Sequence, residues 1–193
     1  DDIMKSIESI TLLFLLSLFI NAGAIAQSLK LDQKQSSLIV SGTSSLHDWD
    51  VNATEFSGSI AIQIDEAVVL SKLKVVVTAE SLKSGKNGMD KNTYRALKTD
   101  EFSQIVFKMT KVNAINKVKD AYYEVGIIGD LTIAGVTRSI HLRCFLQTLD
   151  KKVLVMGNIE LRMTEFDIEP PKALLGTIKT GDLINIKFNT IFE

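Results

Sequence analysis

The chain has 193 residues, 46% of them apolar and 23% charged, with a formal net charge of −1. That length can build one sizeable hydrophobic core and seldom two. No basic stripe interleaved with aromatics is present, so the electrostatic footprint of a nucleic-acid binder is missing, and the single cysteine, Cys144, excludes an intramolecular disulfide.

The first element is not part of the expected domain. Met4 and Lys5 precede the apolar run "ITLLFLLSLFI" (Ile10 to Ile20), and "NAGAIAQ" follows, with Ala24 and Ala26 at the spacing a signal peptidase accepts. This predicts a secretory signal cut after Ala26, with Asp1, Asp2 and Ile3 as upstream residues. The apolar run is shorter than the roughly 20 residues needed to cross a bilayer, and no cysteine near the cut offers a lipid anchor. The expected mature chain, 27–193, has no integral membrane segment and is periplasmic or secreted. Cleavage removes three acids (Asp1, Asp2, Glu8) and one base (Lys5), moving the formal charge from −1 to +1.

A period of two then runs along the chain, the signature of strands with one wet face. "SLIVSG" (37–42), "HDWDVNA" (47–53) and "GSIAIQI" (58–64) come first. In "SKLKVVVTAES" (71–81), Leu73, Val75, Val77 and Ala79 share a face opposite Lys72, Lys74 and Glu80. The segment "NGMDKNTYRALKTDEF" (87–102) breaks the period and predicts one helix, with Asn87 as its cap, Asp90 near its N-terminal dipole, and Met89, Ala96 and Leu97 near one stripe. Such a helix either caps a core or covers the open end of a barrel that has contents. After "IVFKMTK" (105–111), the stretch 122–133 groups Tyr123, Val125, Ile127, Leu131 and Ile133, and 136–147 groups Val136, Ile140, Leu142, Cys144 and Leu146. Residues 153–163 group Val153, Val155, Ile159, Leu161 and Met163, and 183–192 set Ile184, Ile186, Phe188 and Phe192 against Asn185, Lys187 and Asn189. The expectation is all-β: an antiparallel eight-stranded barrel or sandwich with one short inserted helix.

Catalytic motifs fail on inspection. "GTIKTGD" (176–182) has glycines at phosphate-loop spacing, but Asp182 stands where the lysine belongs. Ser71 and Lys74 match Ser-x-x-Lys, yet residues three apart on a strand point to opposite faces. His47 and His141 are the only histidines, and no carboxylates offer ligand spacing beside them, so no metal and no cofactor is expected. A triad from Ser44 or Ser45, His47 and Asp48 would use sequence neighbours, whereas triad members converge from separate elements. The stretch "GTSSLHDWD" (42–50) reads instead as a rim. His47 shares parity with Trp49 and Val51, which turns it inward at the start of a strand, where its ring either meets a ligand's polar end or bonds a backbone carbonyl. His141 has outward parity.

Five stretches carry a resemblance: "GTSSLHDW" (42–49), "MDKNTYRALKTDEF" (89–102), "IVFKMTKV" (105–112), "GDLTIAGVTRSIHL" (129–142) and "PPKALLGTIKTGDLINIKF" (170–188). In this order the sequence resembles the YceI-like family of secreted lipid-binding proteins of Bacteroidetes type, although Ser103 stands where relatives often carry proline. The resemblance implies an eight-stranded lipocalin-like barrel that holds an isoprenoid or similar long apolar chain, such as an isoprenoid quinone or a fatty acyl chain, without a catalytic step. It places His47 and the helix from about Asn87 to Lys98 at the ligand's entrance or polar end, and it allows a homodimer. The candidate ligand-contacting set is His47, Trp49 and Val51 from the rim, then Leu73, Val75 and Val77. Leu97, Phe102 and Phe107 follow, with Ile127 and Leu131, and finally Leu142, Leu161 and Phe188. Small inward residues, Ala53, Ala79, Gly129 and Gly157, are expected to leave room inside. A barrel filled by its own side chains, serving as a structural module, has the same alternation. A hydrolase is the third reading.

Overall fold

Among the described residues, alternation in the sequence becomes eleven strands, interrupted by one α-helix. The computed structural model describes residues 27–65 and 67–193, so the expected signal segment 1–26 lies outside the described residues. The strands are β1 (Gln27–Ser44), β2 (Trp49–Ala53), β3 (Phe56–Ile64), β4 (Val68–Thr78), β5 (Leu82–Lys83), β6 (Gln104–Lys119), β7 (Tyr122–Ile133), β8 (Val136–Leu149), β9 (Lys152–Arg162), β10 (Lys172–Ala173) and β11 (Ile178–Phe192), with the helix α1 (Asn87–Leu97) between β5 and β6.

All pairings are antiparallel, in the order β11-β9-β8-β7-β6-β4-β3-β1, and β1 returns to pair with β11, closing an eight-stranded barrel. Closure leaves the main strands no free edge. β2 runs beside the upper half of β1, where Val40 pairs with Val51, while β3 takes the lower half, where Leu29 pairs with Ile60. Between the halves the register of β1 against β11 slips from Asp32 to Ser37, and the inward set changes phase from Leu29 and Leu31 to Leu38 and Val40. The sequence reading, which starts this strand at Ser37, misses its lower half because the polar run "DQKQSS" hides the pattern at the slip.

The two ends of the barrel differ. Strand directions put the β3–β4, β6–β7 and β8–β9 turns at one end, closed by Leu29, Ile60, Ile62, Val125, Leu146, Val153 and Phe192, all at or below 5% exposure. At the other end lie α1, the turn from Ser44 to Asp48 and the long connection from Met163 to Thr177. The β7–β8 turn there is a two-residue loop with φ of 48° at Ala134 and 79° at Gly135, the left-handed pair that suits the twist of a tight hairpin.

α1 differs from expectation at its start. Asn87 is already helical, and Lys86 takes the capping position without a side-chain bond. Asp90 instead ties the helix to the segment before it, its buried carboxylate accepting the amide of Ser84 at 2.8 Å together with the Ser84 hydroxyl. The helix ends as Lys98 turns left-handed (φ 52°). Tyr94 pins it to the turn between β4 and β5 by donating from its hydroxyl to the carbonyl of Glu80 at 2.8 Å.

Candidate functional site

The inner faces of β4, β6, β7, β8, β9 and β11 enclose a cavity of about 490 Å³ that opens between α1 and the segment 168–180. This volume falls in the range of small-molecule sites, roughly 300–1,000 Å³. Its wall is apolar at every level: Leu73, Val75 and Val77 on β4, Phe107 on β6, Leu131 on β7, Leu142 on β8, and Ile184, Ile186 and Phe188 on β11. Thr190 is the polar residue at the deep end, and its hydroxyl donates to the carbonyl of Val155 at 2.9 Å, so no free donor faces the interior there. The remaining polar lining, Ser44, His47, Lys86, Asn92, Thr93, Lys172 and Thr180, belongs to the helix and loops of the mouth and the first turn of β11.

Aromatic rings and glycines shape the interior together. A Cβ built on Gly129 would fall 2.5 Å from the Phe107 ring, one on Gly157 2.8 Å from the Phe188 ring, and one on Gly42 2.3 Å from the Trp49 indole. Each ring lies back on a neighbouring strand in space that any other residue would fill. The expectation that Gly129 and Gly157 leave room is therefore corrected: their space is occupied by rings, and the room gained is at the centre, where those rings would otherwise project. Ala53 and Ala79 are buried in the wall and do not face the cavity.

Of the expected set, His47, Trp49, Val51, Leu73, Val75, Val77, Leu97, Phe107, Leu131, Leu142 and Phe188 line the cavity. Phe102, Ile127 and Leu161 do not. Phe102 lies on Gly135 at the β7–β8 turn, Ile127 is 2% exposed within the core of the closed end, and Leu161 is buried with Met163, Phe166 and Ile168. His47 also sits differently from its predicted place on a strand. The Ser44 hydroxyl donates to the His47 carbonyl at 2.7 Å and accepts the amides of Leu46 and His47 at 3.2 Å, which makes a side-chain-closed turn and delays β2 to Trp49. The imidazole is exposed at the mouth, with Nδ1 2.6 Å from the carbonyl of Asp48. Trp49 donates from Nε1 to the carbonyl of Thr43 at 2.9 Å, which fixes the indole across the upper wall.

The second side of the mouth, Met163 to Thr180, entered the sequence reading through Met163, its glycines and the family-like stretch from Pro170, but not as part of the site. Met163, Phe166 and Ile168 fold over the opening. Asp182 holds this turn by accepting the amide of Thr164 at 2.9 Å and its hydroxyl at 2.8 Å, and the Thr164 amide keeps the Asp182 carboxyl below its ordinary range. Arg138 adds a bond from Nε to the carbonyl of Glu165 at 2.7 Å. Met163, Phe166 and Ile168 in "MTEFDI" are spaced three and then two residues apart, so no regular period marks this side in the sequence.

Reactive groups lie outside this interior. Cys144 is buried in the wall, and burial pushes its thiol up to about 12, which keeps it protonated and unreactive. Among the described residues, no three acids, histidines or cysteines gather in a way that could hold a metal ion, and no helix is long and apolar enough to cross a membrane.

The chain matches the YceI-like domain over residues 29–192. It belongs to the YceI-like family. Solved structures share the fold of this YceI-like chain at low identity. A polyisoprenoid binding domain from Saccharophagus degradans, implicated in plant cell wall breakdown, is 16% identical with a TM-score of 0.69, covering 88% of this chain and 98% of its own. Burkholderia cenocepacia BcnA is 14% identical with a TM-score of 0.66, covering 83% and 98%. The Campylobacter jejuni YceI protein is 21% identical with a TM-score of 0.58, covering 74% and 84%. No curated protein matches this YceI-like chain in sequence.

Proposed function

We propose that this protein is an exported carrier or store for one long apolar lipid of isoprenoid, isoprenoid-quinone or acyl type, held tail-down in the barrel without chemical conversion. The observation that carries this reading is the cavity of about 490 Å³, apolar to its closed end apart from the bonded Thr190 hydroxyl, with its other polar side chains at the mouth. Each methylene moved from water into such a space gains about 0.8 kcal/mol before binding costs, so a few isoprene units give useful affinity without specific polar contacts. The polyisoprenoid binding domain of the Saccharophagus degradans structure supports the ligand class. His47, Lys86 and Asn92 stand where a headgroup would emerge. Export rests on the "AIAQ" junction and predicts an exported form that begins at Gln27.

Solvent extraction of the purified protein followed by mass spectrometry tests the reading. One prenyl or acyl species per protein is the expected result. A protein that is reproducibly empty, and that takes up no long-chain isoprenoid when offered one, refutes it and returns the barrel to a structural role.

A further inference from the structure

The mouth carries apolar side chains that the barrel does not use. Leu174 and Leu175 form the tip of the β10–β11 hairpin, where Ala173 pairs with Ile178, and Leu46 tops the neighbouring turn. Leu46 is 65% exposed, Leu174 72%, and Leu175 is fully exposed. Both hairpin leucines have left-handed backbones, with φ of 49° and 55°. Bulky residues rarely adopt that region, which asparagine and glycine fill with less strain, so this turn holds two apolar side chains in water at the expense of local backbone preference. The two segments are tied into one surface: the Ser45 amide donates to the carbonyl of Lys179 at 2.9 Å, and the Lys179 amide donates to the Ser45 hydroxyl at 3.1 Å.

This surface continues into the cavity, because Leu46, Ala173 and Ile178 line the opening itself. Around it stand Lys86, Lys172 and Lys179, against the acids Asp48 and Glu169. Lys172 pairs with Glu169 at 2.7 Å, while Lys86 and Lys179 make no salt bridge among the described residues. Leucines at a tip with lysines behind them match the depth profile of a bilayer surface, where apolar side chains enter the acyl boundary and ammonium groups reach back to anionic headgroups.

We propose that the mouth of the barrel docks onto an anionic lipid bilayer, with Leu46, Leu174 and Leu175 as the inserting residues and Lys86 and Lys179 at headgroup level. The docking surface goes beyond the lipid held inside, and it brings the opening against the phase from which an apolar ligand would come.

The test attaches an environment-sensitive fluorophore to Leu175→Cys, and separately to Asp120→Cys in the β6–β7 turn at the opposite end, in the full chain; buried Cys144 stays unlabelled. The probe is vesicles of phosphatidylcholine with one part in three phosphatidylglycerol, without ligand. Emission at position 175 should shift to the blue on adding vesicles, and emission at 120 should not. In flotation with the same vesicles, Leu174→Asn with Leu175→Asn, which suits the left-handed backbone, should bind roughly tenfold more weakly or less. A shift at 120 alone, or at neither position, overturns the proposal. So does a shift at 175 that needs no vesicles and tracks protein concentration with a doubled mass, which would make the surface a contact between two copies. Vesicle docking with an empty barrel would support the surface while refuting the carrier, so the two readings fail separately.

Discussion

Gly157→Ala isolates the part that ring placement plays in keeping the barrel open. The new Cβ would stand 2.8 Å from Cζ of Phe188, 3.1 Å from the carbonyl oxygen of Arg143 and 3.2 Å from Cβ of Cys144. The last two contacts ease with shifts of a few tenths of an ångström. The phenyl has to retreat by about 1 Å to reach an ordinary carbon contact of about 3.5–4.0 Å. Phe188 lines the cavity, so the open direction for that retreat is toward the centre. A ring edge moved this far takes the space of about one to two methylene groups of any chain lying there, at about 0.8 kcal/mol each. Affinity for a long-chain isoprenoid should therefore fall about four- to fifteenfold. Stability should scarcely change, because replacing glycine restricts the unfolded chain by about 0.4–1 kcal/mol and offsets the contact strain. The assay is titration of a long-chain isoprenoid alcohol followed by the fluorescence of Trp49, the only tryptophan, alongside denaturant midpoints of both proteins. A loss of about 1–3 kcal/mol in stability with affinity unchanged would mean that the ring has nowhere to go, and would refute the open interior.

Three further outcomes follow from the same geometry. Val75→Trp, on the cavity wall, should expel bound lipid with little destabilisation, whereas its exposed neighbour Lys74→Trp should keep it; bound lipid per protein by mass spectrometry separates them, and the reverse pattern would invert the face assignment. His47→Ala should weaken retention of a headgroup-bearing lipid by about fivefold, through loss of about 1 kcal/mol of hydrogen bonding, and leave the melting temperature unchanged because the ring bonds only an exposed neighbouring carbonyl. Hydrogen bonds from the Ser84 side chain, and then its amide, hold the Asp90 carboxyl below its ordinary 3.8, so the tether of α1 is fully present above that pH and is lost as pH falls through the lowered value. Amide exchange across 84–97 should rise in that acid window, and Asp90→Asn should remove the step.

The inner faces of β7, β8, β9 and β11, and of β4 from Leu73 onward, were readable because apolar residues recur at alternate positions along them, and in a one-sided sheet a slip by one residue would expose the whole set. The barrel and its inserted helix follow from that pattern. Contacts between strands were less readable. That Phe107 covers Gly129, and that Phe102 covers Gly135 away from the cavity, depends on register and ring rotation, which periodicity does not encode. His47 lies at the mouth as expected but ahead of β2 and not on it, because the Ser44 hydroxyl closes a turn there. Ile127 and Leu161 have the correct parity and pair with the cavity-lining Leu142 and Ile184, yet their side chains are covered by core neighbours, and such packing leaves no mark in a period of two. The strap from Met163 to Thr180 lay hidden behind its loop-like composition, although it forms one side of the opening.

Closure between the first strand and the last bears on how the chain folds. Leu38 meets Phe188 and Val40 meets Ile186 across a seam that joins residues about 150 positions apart. Such non-local pairing gives a high contact order, which places folding on the slow, millisecond-to-second side of small domains. Until β11 arrives, β1 and β9 each present an unpaired edge beside an apolar face, a state prone to join other chains. A chain cut before Ile178 should then aggregate instead of forming a smaller barrel. Substitutions along the seam should slow folding more than matched changes in the local β6–β7 hairpin if seam pairing is part of the folding nucleus, and should mainly speed unfolding if it forms last.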